Sequence, residues 1–443
     1  MTIATSEETA FDSKGKWMVL LAAFMGWMFD GLEMGLFPLV ARPAIAELVG
    51  VDQARAGMWM SVVYAVFLVG AACGGLIFGW LGDRIGRVRA MVWSVLVYSI
   101  FSGLCGFSQA PWQLAILRFM ASLGMGGEWS LGVALVMEVW PNKHRPILAG
   151  LIGAASNVGF LLIAFVGLAL ARVINELHLW LSAAGLPQTW VDALVRNSAW
   201  RLLLFLGAVP ALLTFFIRIF VPESKRWQHA AKTSPKNRIA DIFTPNLAPL
   251  TIFGTCLAAV ALLGTWGSVQ WIPPWASKLA EDTHYHTPKI AAPWAQIWSG
   301  FGAVVGCILA ACTAQWTSRR WTYFGLALLS LASCQYLFRT HMPFGAYYLF
   351  WVFIVGGITA AFYGWLPLYL PELFPTRVRA TGQGFAFNIG RILAAVGVLY
   401  GGQLLDAFGK DYARMCSWIS LVYVLGLFII WLGPETKNRP LPE

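Results

Sequence analysis

The chain has 443 residues, of which 58% are hydrophobic and only 12% charged, with a mean hydropathy of +0.66. So few polar side chains cannot cover a water-facing surface, which excludes an ordinary soluble domain. The formal charge of +10 is spread over many short loops instead of lining one face, which excludes a nucleic-acid reader.

Residues 1–16 are polar and lack the apolar core of a cleaved signal, so the first span is expected to be retained as a helix. Twelve apolar stretches follow, of the roughly 20 residues or more that cross the hydrocarbon core as a helix. They are predicted at 17–45, 57–81, 90–107, 111–140, 146–171, 200–221, 249–276, 292–314, 321–339, 343–370, 380–403 and 412–432. The fold class is an all-α membrane protein with twelve transmembrane helices in the lipid bilayer. An even number leaves both termini on one side. Lys14, Lys16, Arg84, Arg87, Arg89, Lys143, Arg145, Arg319, Arg320, Arg377, Arg379 and Lys437 share that side. The excess of cations in short loops marks it as cytoplasmic.

Two loops stand out. The stretch 172–199 faces outward, and Leu177, Trp180, Leu181, Leu186, Trp190 and Leu194 make it amphipathic enough for a short interfacial helix. Residues 222–248 are rich in Lys, Arg, Pro and Ser and read as a cytoplasmic linker. The seven cysteines sit in or at the ends of spans, where they act as small apolar residues, and they show no metal or disulfide spacing. All six histidines fall in loops, so no histidine relay crosses the membrane.

The two parts flanking the linker repeat each other. Glu138-Val-Trp-Pro141, followed by Arg145 and Gly150, recurs as Glu372-Leu-Phe-Pro375, followed by Arg379 and Gly384. Pro222-Glu223-Ser224-Lys225 recurs as Pro434-Glu435-Thr436-Lys437. Two matched landmarks predict homologous six-helix halves, 1–221 and 249–443, joined by 222–248.

After the second span comes Gly79-Trp-Leu-Gly-Asp83-Arg84-Ile-Gly86-Arg87-Val-Arg89. It resembles the G-x-L-x-D-R-x-G-R-[KR] loop of the major facilitator superfamily. In the second half the equivalent loop keeps only Arg319 and Arg320. Asp30-Gly31-Leu32-Glu33 resembles the D-G-x-D motif of the aromatic acid:proton, sialic acid and metabolite:proton symporters, with Glu33 where an aspartate is usual. Arg118 through Gly124-Met-Gly126-Gly127-Glu128, and Arg377-Val-Arg379 through Gly390-Arg391, point to the same group. The resemblance covers essentially the whole chain. It implies two pseudo-symmetric halves that rock about a central site, a bacterial inner-membrane location, a monomer and no cofactor. It also implies a cytoplasmic gate, with Asp83, Arg84 and Arg87 beside two charge sets: Glu138, Arg145, Glu223 and Arg226, and their partners Glu372, Arg379, Glu435 and Arg439.

Ionisable groups deep in a membrane are costly and usually face a cavity or one another. Asp30, Glu33, Arg118, Glu128 and Arg391 are such groups. Asp30 and Glu33 lie one turn apart on one helix face, where two carboxylates repel, so one is expected to hold a proton near neutral pH. Glu128 is a second proton candidate. A structural salt bridge to Arg118 is the competing role for the acids. Arg118 and Arg391, the deep cations of the two halves, match a carboxylate bidentately and suggest an organic anion as substrate. Asn157, Trp266, Gln270, Tyr363 and Asn388, with Gln296 and Trp365, are expected to line the cavity, suiting an aromatic or sugar-type acid. The seventh span is expected to end at the helix-disrupting Pro273-Pro274.

Proton-coupled symport of a small organic anion is the expected function, with uniport or carriage of a neutral or cationic metabolite as the alternative. A membrane enzyme lacks support, because the chain carries no nucleophile-base set, metal cluster or nucleotide loop. A receptor would normally add a signalling domain, and the cytoplasmic segments here are short.

Overall fold

The computed structural model describes residues 13–50, 53–233, 237–282 and 290–443; Lys236, His284, His286 and Lys289 lie outside them. The first half comprises α1 (Ser13–Val49), α2 (Gln53–Ile85), α3 (Arg87–Cys105), α4 (Pro111–Val139), α5 (Arg145–Ala183), α6 (Gln188–Leu206) and α7 (Ala211–Phe220). A short helix, α8 (Lys225–Thr233), lies in the connection. The second half comprises α9 (Ala248–Gly267), α10 (Ile272–Asp282), α11 (Ala291–Trp316), α12 (Arg319–Arg339), α13 (Ala346–Ala360), α14 (Phe362–Tyr369), α15 (Arg379–Asn388), α16 (Gly390–Leu399), α17 (Gly401–Ala407), α18 (Tyr412–Ile419) and α19 (Val422–Ile429).

Ten of these helices or helix runs among the described residues are long and apolar enough to cross a membrane. The expected ninth span, α12, is a helix of 21 residues diluted by Arg319, Arg320, Gln335 and several hydroxyls. The sixth is bent by 89° between Asn197 and Ala199, both at positive φ, and breaks again before α7.

Two expectations from sequence fail in instructive ways. The stretch 172–199 is not a separate interfacial helix. α5 continues through it to Ala183, because no helix breaker precedes Gly185 at φ +81 and Pro187. At about 1.5 Å per residue its 39 residues outrun a hydrocarbon core of about 30 Å. α5 and α6 are tied there by His178 Nε2 and Asp192 Oδ1 at 2.9 Å, so His178 sits on a helix instead of in a loop. Nor do Pro273-Pro274 end the seventh span. They sit in the first turn of α10, where a missing N–H is tolerated, and the break falls at 268–271.

Glycines set the helix crossings in both halves. A Cβ at Gly126 would overlap the Ala71 carbonyl where α4 meets α2, and one at Gly306 would overlap the Gly357 carbonyl where α11 meets α13. Apolar helices in lipid gain little from burial against one another, so close backbone approach at small residues does the packing. The two halves meet along α2 against α15 and α16, and along α5 against α11 and α14.

Candidate functional site

The buried charges form two groups. The first is built on the 82–89 loop. Gly86 adopts φ +114, a conformation L side chains rarely take, and a Cβ there would strike Glu223 Oε2. Glu223 accepts the N–H groups of Arg87 and Val88, each at 3.0 Å, and so caps the positive end of α3. Burial pushes its carboxyl above the ordinary value, while the backbone hydrogen bonds pull it down. The fully buried Arg87 guanidinium donates to Asp83, to the Gly82 carbonyl at 2.8 Å and to Glu138 Oε1 at 3.1 Å.

The second half repeats this wiring. Glu435 accepts Arg319 N at 3.1 Å and Arg320 N at 3.2 Å, and Arg319 donates to the Ala314 carbonyl at 2.8 Å. Arg319 also grips both oxygens of Glu372, at 3.0 and 2.8 Å. For Glu435 burial works against the charge, but the backbone N–H groups prevail and hold its carboxyl below the usual value.

Across the halves the wiring is one-sided. Asp83 accepts Ala380 N at 3.2 Å, Thr381 N at 2.8 Å and Thr381 Oγ1 at 2.5 Å, capping α15 of the opposite half. By the Arg87-to-Arg319 register the counterpart of Asp83 is Gln315, and by the Arg145-to-Arg379 register that of Ala380 is Pro146, which has no N–H to donate. Glu138 Oε1 accepts from Arg379 Nη1 at 2.9 Å, and Asn388 Nδ2 donates to the Gly126 carbonyl at 3.2 Å. Trp129 stacks on Phe387 at 3.9 Å. The ends of the halves that carry this loop are therefore bonded together.

This grouping differs from the two charge sets expected. Glu138 joins Arg87 and Arg379 instead of Arg145, and Glu372 joins Arg319 instead of Arg379. Arg145 Nε and Nη2 have no partner, and Arg226 lies close enough to repel it. Arg84 is exposed, its guanidinium 5.1 Å from the Trp80 ring. The sequence marks Arg319 as a remnant of the second half's equivalent loop without giving it a partner, and it does not mark Thr381.

The second group lies mid-span. Asp30 and Glu33 share a face of α1 but serve different neighbours. Glu33 pairs with Arg118 and accepts Ser102 Oγ at 2.7 Å. The Arg118 guanidinium is also held between Phe37 and Phe67, 4.6 and 4.7 Å from the ring centres. The salt bridge weighed for the acids is thus formed, by Glu33. Asp30 instead lies within reach of the Glu128 charge. A Cβ at Gly26, one turn before Asp30, would overlap Glu128 Oε1, so that carboxylate lies against α1 where only glycine leaves room. Asp30 Oδ1 and both Glu128 oxygens are buried without a hydrogen-bond partner. The charges of Glu128, Arg391 and Glu33 all act on Asp30, and those of Asp30, Glu128 and Glu33 reach the Tyr98 hydroxyl, which sequence gave no reason to select.

Arg391 is 6% exposed; its Nε has no partner, and its guanidinium lies 5.6 Å from the Phe387 ring. It interacts electrostatically with Asp30 of the other half and with Tyr363. Trp266 and Gln270 line a cavity of 20 Å³ between the halves together with Phe37, Tyr64, Phe67 and Arg118. Asn157 Nδ2 donates to its own helix at Gly153, 3.3 Å away. Asn388 spends its amide N–H groups on backbone carbonyls, and Trp365 is fully buried against Tyr369 in the second half's core, so neither lines that cavity.

Comparison with known proteins agrees with this architecture. The Major Facilitator Superfamily model matches residues 17–398. The chain is 30% identical to a probable 4-methylmuconolactone transporter of Cupriavidus pinatubonensis, over 94% of this chain and 90% of that protein. It is 28% identical to a cis,cis-muconate transport protein of Acinetobacter baylyi, over 86% of this chain and 85% of that one. Its fold is similar to that of the proton:xylose symporter XylE, with a TM-score of 0.73 at 18% identity, covering 97% of this chain and 98% of that one. The chain belongs to the major facilitator superfamily and is a multi-pass membrane transporter of metabolites.

Proposed function

We propose that the protein takes up a small organic anion, an aromatic or sugar-type carboxylate, together with protons. The observation that carries this reading is the central trio of Asp30, Glu128 and Arg391: two buried acids with unpartnered oxygens, of which Asp30 feels both the Glu128 charge and the buried Arg391 guanidinium of the opposite half. Arg391 is the anion anchor, because Arg118 is already neutralised by Glu33. When Asp30 is protonated, Arg391 loses a competing carboxylate and is free to pair with the substrate, which couples proton and anion binding in one site; the Glu128 charge favours that protonation. Relatives named for transport of cis,cis-muconate and 4-methylmuconolactone support a carboxylate cargo.

In this reading the halves 1–221 and 249–443, joined by 222–248, rock about the trio. The Asp83, Arg87, Glu138 and Arg379 bonds hold the cytoplasmic end shut, with both termini on that side of a bacterial inner membrane and the monomer as the working unit. The test is uptake of a carboxylate panel into proteoliposomes with and without an inward proton gradient. Accumulation only with the gradient supports symport, whereas gradient-independent equilibration makes the protein a uniporter.

A further inference from the structure

We infer that the outer end of the second half binds the headgroup of an acidic phospholipid, in a cavity separate from the central site. α12 begins at Arg319 beside the Glu372 and Glu435 bonds and runs 21 residues to Arg339, so Arg339 marks the opposite end of the molecule. There the ends of α10, α12 and α18 enclose a cavity of about 740 Å³.

Four cations line it: Lys278, Arg339, Lys410 and Arg414, against two acids, Asp282 and Asp411. Asp411 is already engaged, because its Oδ1 accepts Arg414 N at 3.0 Å as the cap of α18. Two of the cations are held in place. Arg339 Nε donates to the buried Ser417 Oγ at 3.0 Å, and Lys278 Nζ donates to the Lys410 carbonyl at 3.0 Å. Lys410 itself adopts φ +61, a strained conformation for a side-chain-bearing residue of the kind found at ligand clamps.

The surroundings of the mouth select an amphiphile over a soluble anion. Trp418, 57% exposed, lies on the rim, and below it Leu425 and Phe428, 55% and 70% exposed, continue on one face of the same span. Leu329 and Tyr336 of α12 add further exposed apolar surface. A phosphate among the four cations with acyl chains along this face satisfies both features. An acidic headgroup fits better than a zwitterionic one, whose ammonium would meet the same cations.

The test is native mass spectrometry of the detergent-solubilised full chain titrated with phosphatidylglycerol or phosphatidylcholine of matched acyl chains, with glycerol 1-phosphate as soluble competitor. The expected result is preferential phosphatidylglycerol binding, weakened about tenfold or more in Arg339→Gln/Arg414→Gln and unchanged in Arg89→Gln at the other end. Lys278→Gln/Lys410→Gln gives the same reading if the arginine pair fails to fold. Equal binding of the two lipids, or retention of phosphatidylglycerol by both double variants, overturns the inference. Displacement by glycerol 1-phosphate at the lipid's own concentration also overturns it, in favour of a soluble-anion site.

Discussion

Glu138 Oε1 receives Arg379 Nη1 at 2.9 Å and Arg87 Nη2 at 3.1 Å, so one carboxylate oxygen clamps the two halves through side chains that are all fully buried. Removing one member of a buried ion pair leaves an uncompensated charge and costs about 3–5 kcal/mol. Arg379→Ala should therefore destabilise the closed end and shift the population toward opening there. A cysteine replacing Ser130, which is fully buried on α4 against Gly384 of the other half, in a background freed of the native cysteines, is expected to be alkylated at least tenfold faster in this variant. An unchanged alkylation rate would remove the clamp from the gate.

Arg391→Ala is expected to abolish measurable anion binding, while Arg391→Lys retains part of it, because the ammonium keeps the charge but loses the bidentate fork. Asp30→Asn should bind and exchange substrate yet fail to accumulate it on an imposed proton gradient. Equilibrium binding and counterflow in proteoliposomes separate these outcomes. Gradient-driven accumulation by Asp30→Asn would transfer the proton to Glu128.

Arg118 should behave as a structural cation. Arg118→Ala leaves Glu33 buried with Ser102 as its one remaining hydrogen-bond donor among the described residues, at a cost of about 3–5 kcal/mol. Adding Glu33→Gln should recover a large part of the loss, since the charge left unpaired is then gone. Thermal unfolding in detergent reads this directly. A substrate-binding role for Arg118 predicts instead normal stability in Arg118→Ala with lost affinity.

At the end of the first half away from the 82–89 loop, Glu47 lies beyond the apolar stretch of α1 that ends at Pro38. Burial opposes its charge, but Trp200 Nε1 at 2.8 Å, Asn197 Nδ2 at 2.7 Å and Arg201 Nη2 at 3.1 Å outweigh it and hold the carboxyl below its ordinary value. A carboxyl depressed in the folded state stabilises above its unfolded pKa, about 4.3, and loses that contribution as pH falls through the folded value. Wild type should thus unfold at a higher temperature than Glu47→Gln at pH 7, with the gap closing below about pH 4. A gap independent of pH would assign the effect to packing.

The sequence by itself determined the fold class, the repeat and the identity of the deep charges. Lipid admits few polar groups, so apolar length writes each span into the chain, and an intramembrane Asp or Arg stands out wherever it falls. The 82–89 loop and the Glu138 and Glu372 repeat were legible for the same reason, because helix ends in the headgroup region need charges and tight turns at fixed spacing. Partner choice was not legible. Glu33 and Asp30 look equivalent on a helical wheel, yet one pairs with Arg118 of α4 and the other feels the charge of Glu128, which lies against α1 at Gly26. Only the crossing of α1 with its neighbours distinguishes them. The tertiary structure likewise decided that Glu138 reaches Arg379, 241 positions away, instead of Arg145, because helix ends from opposite halves converge there and electrostatic pairing follows distance in space.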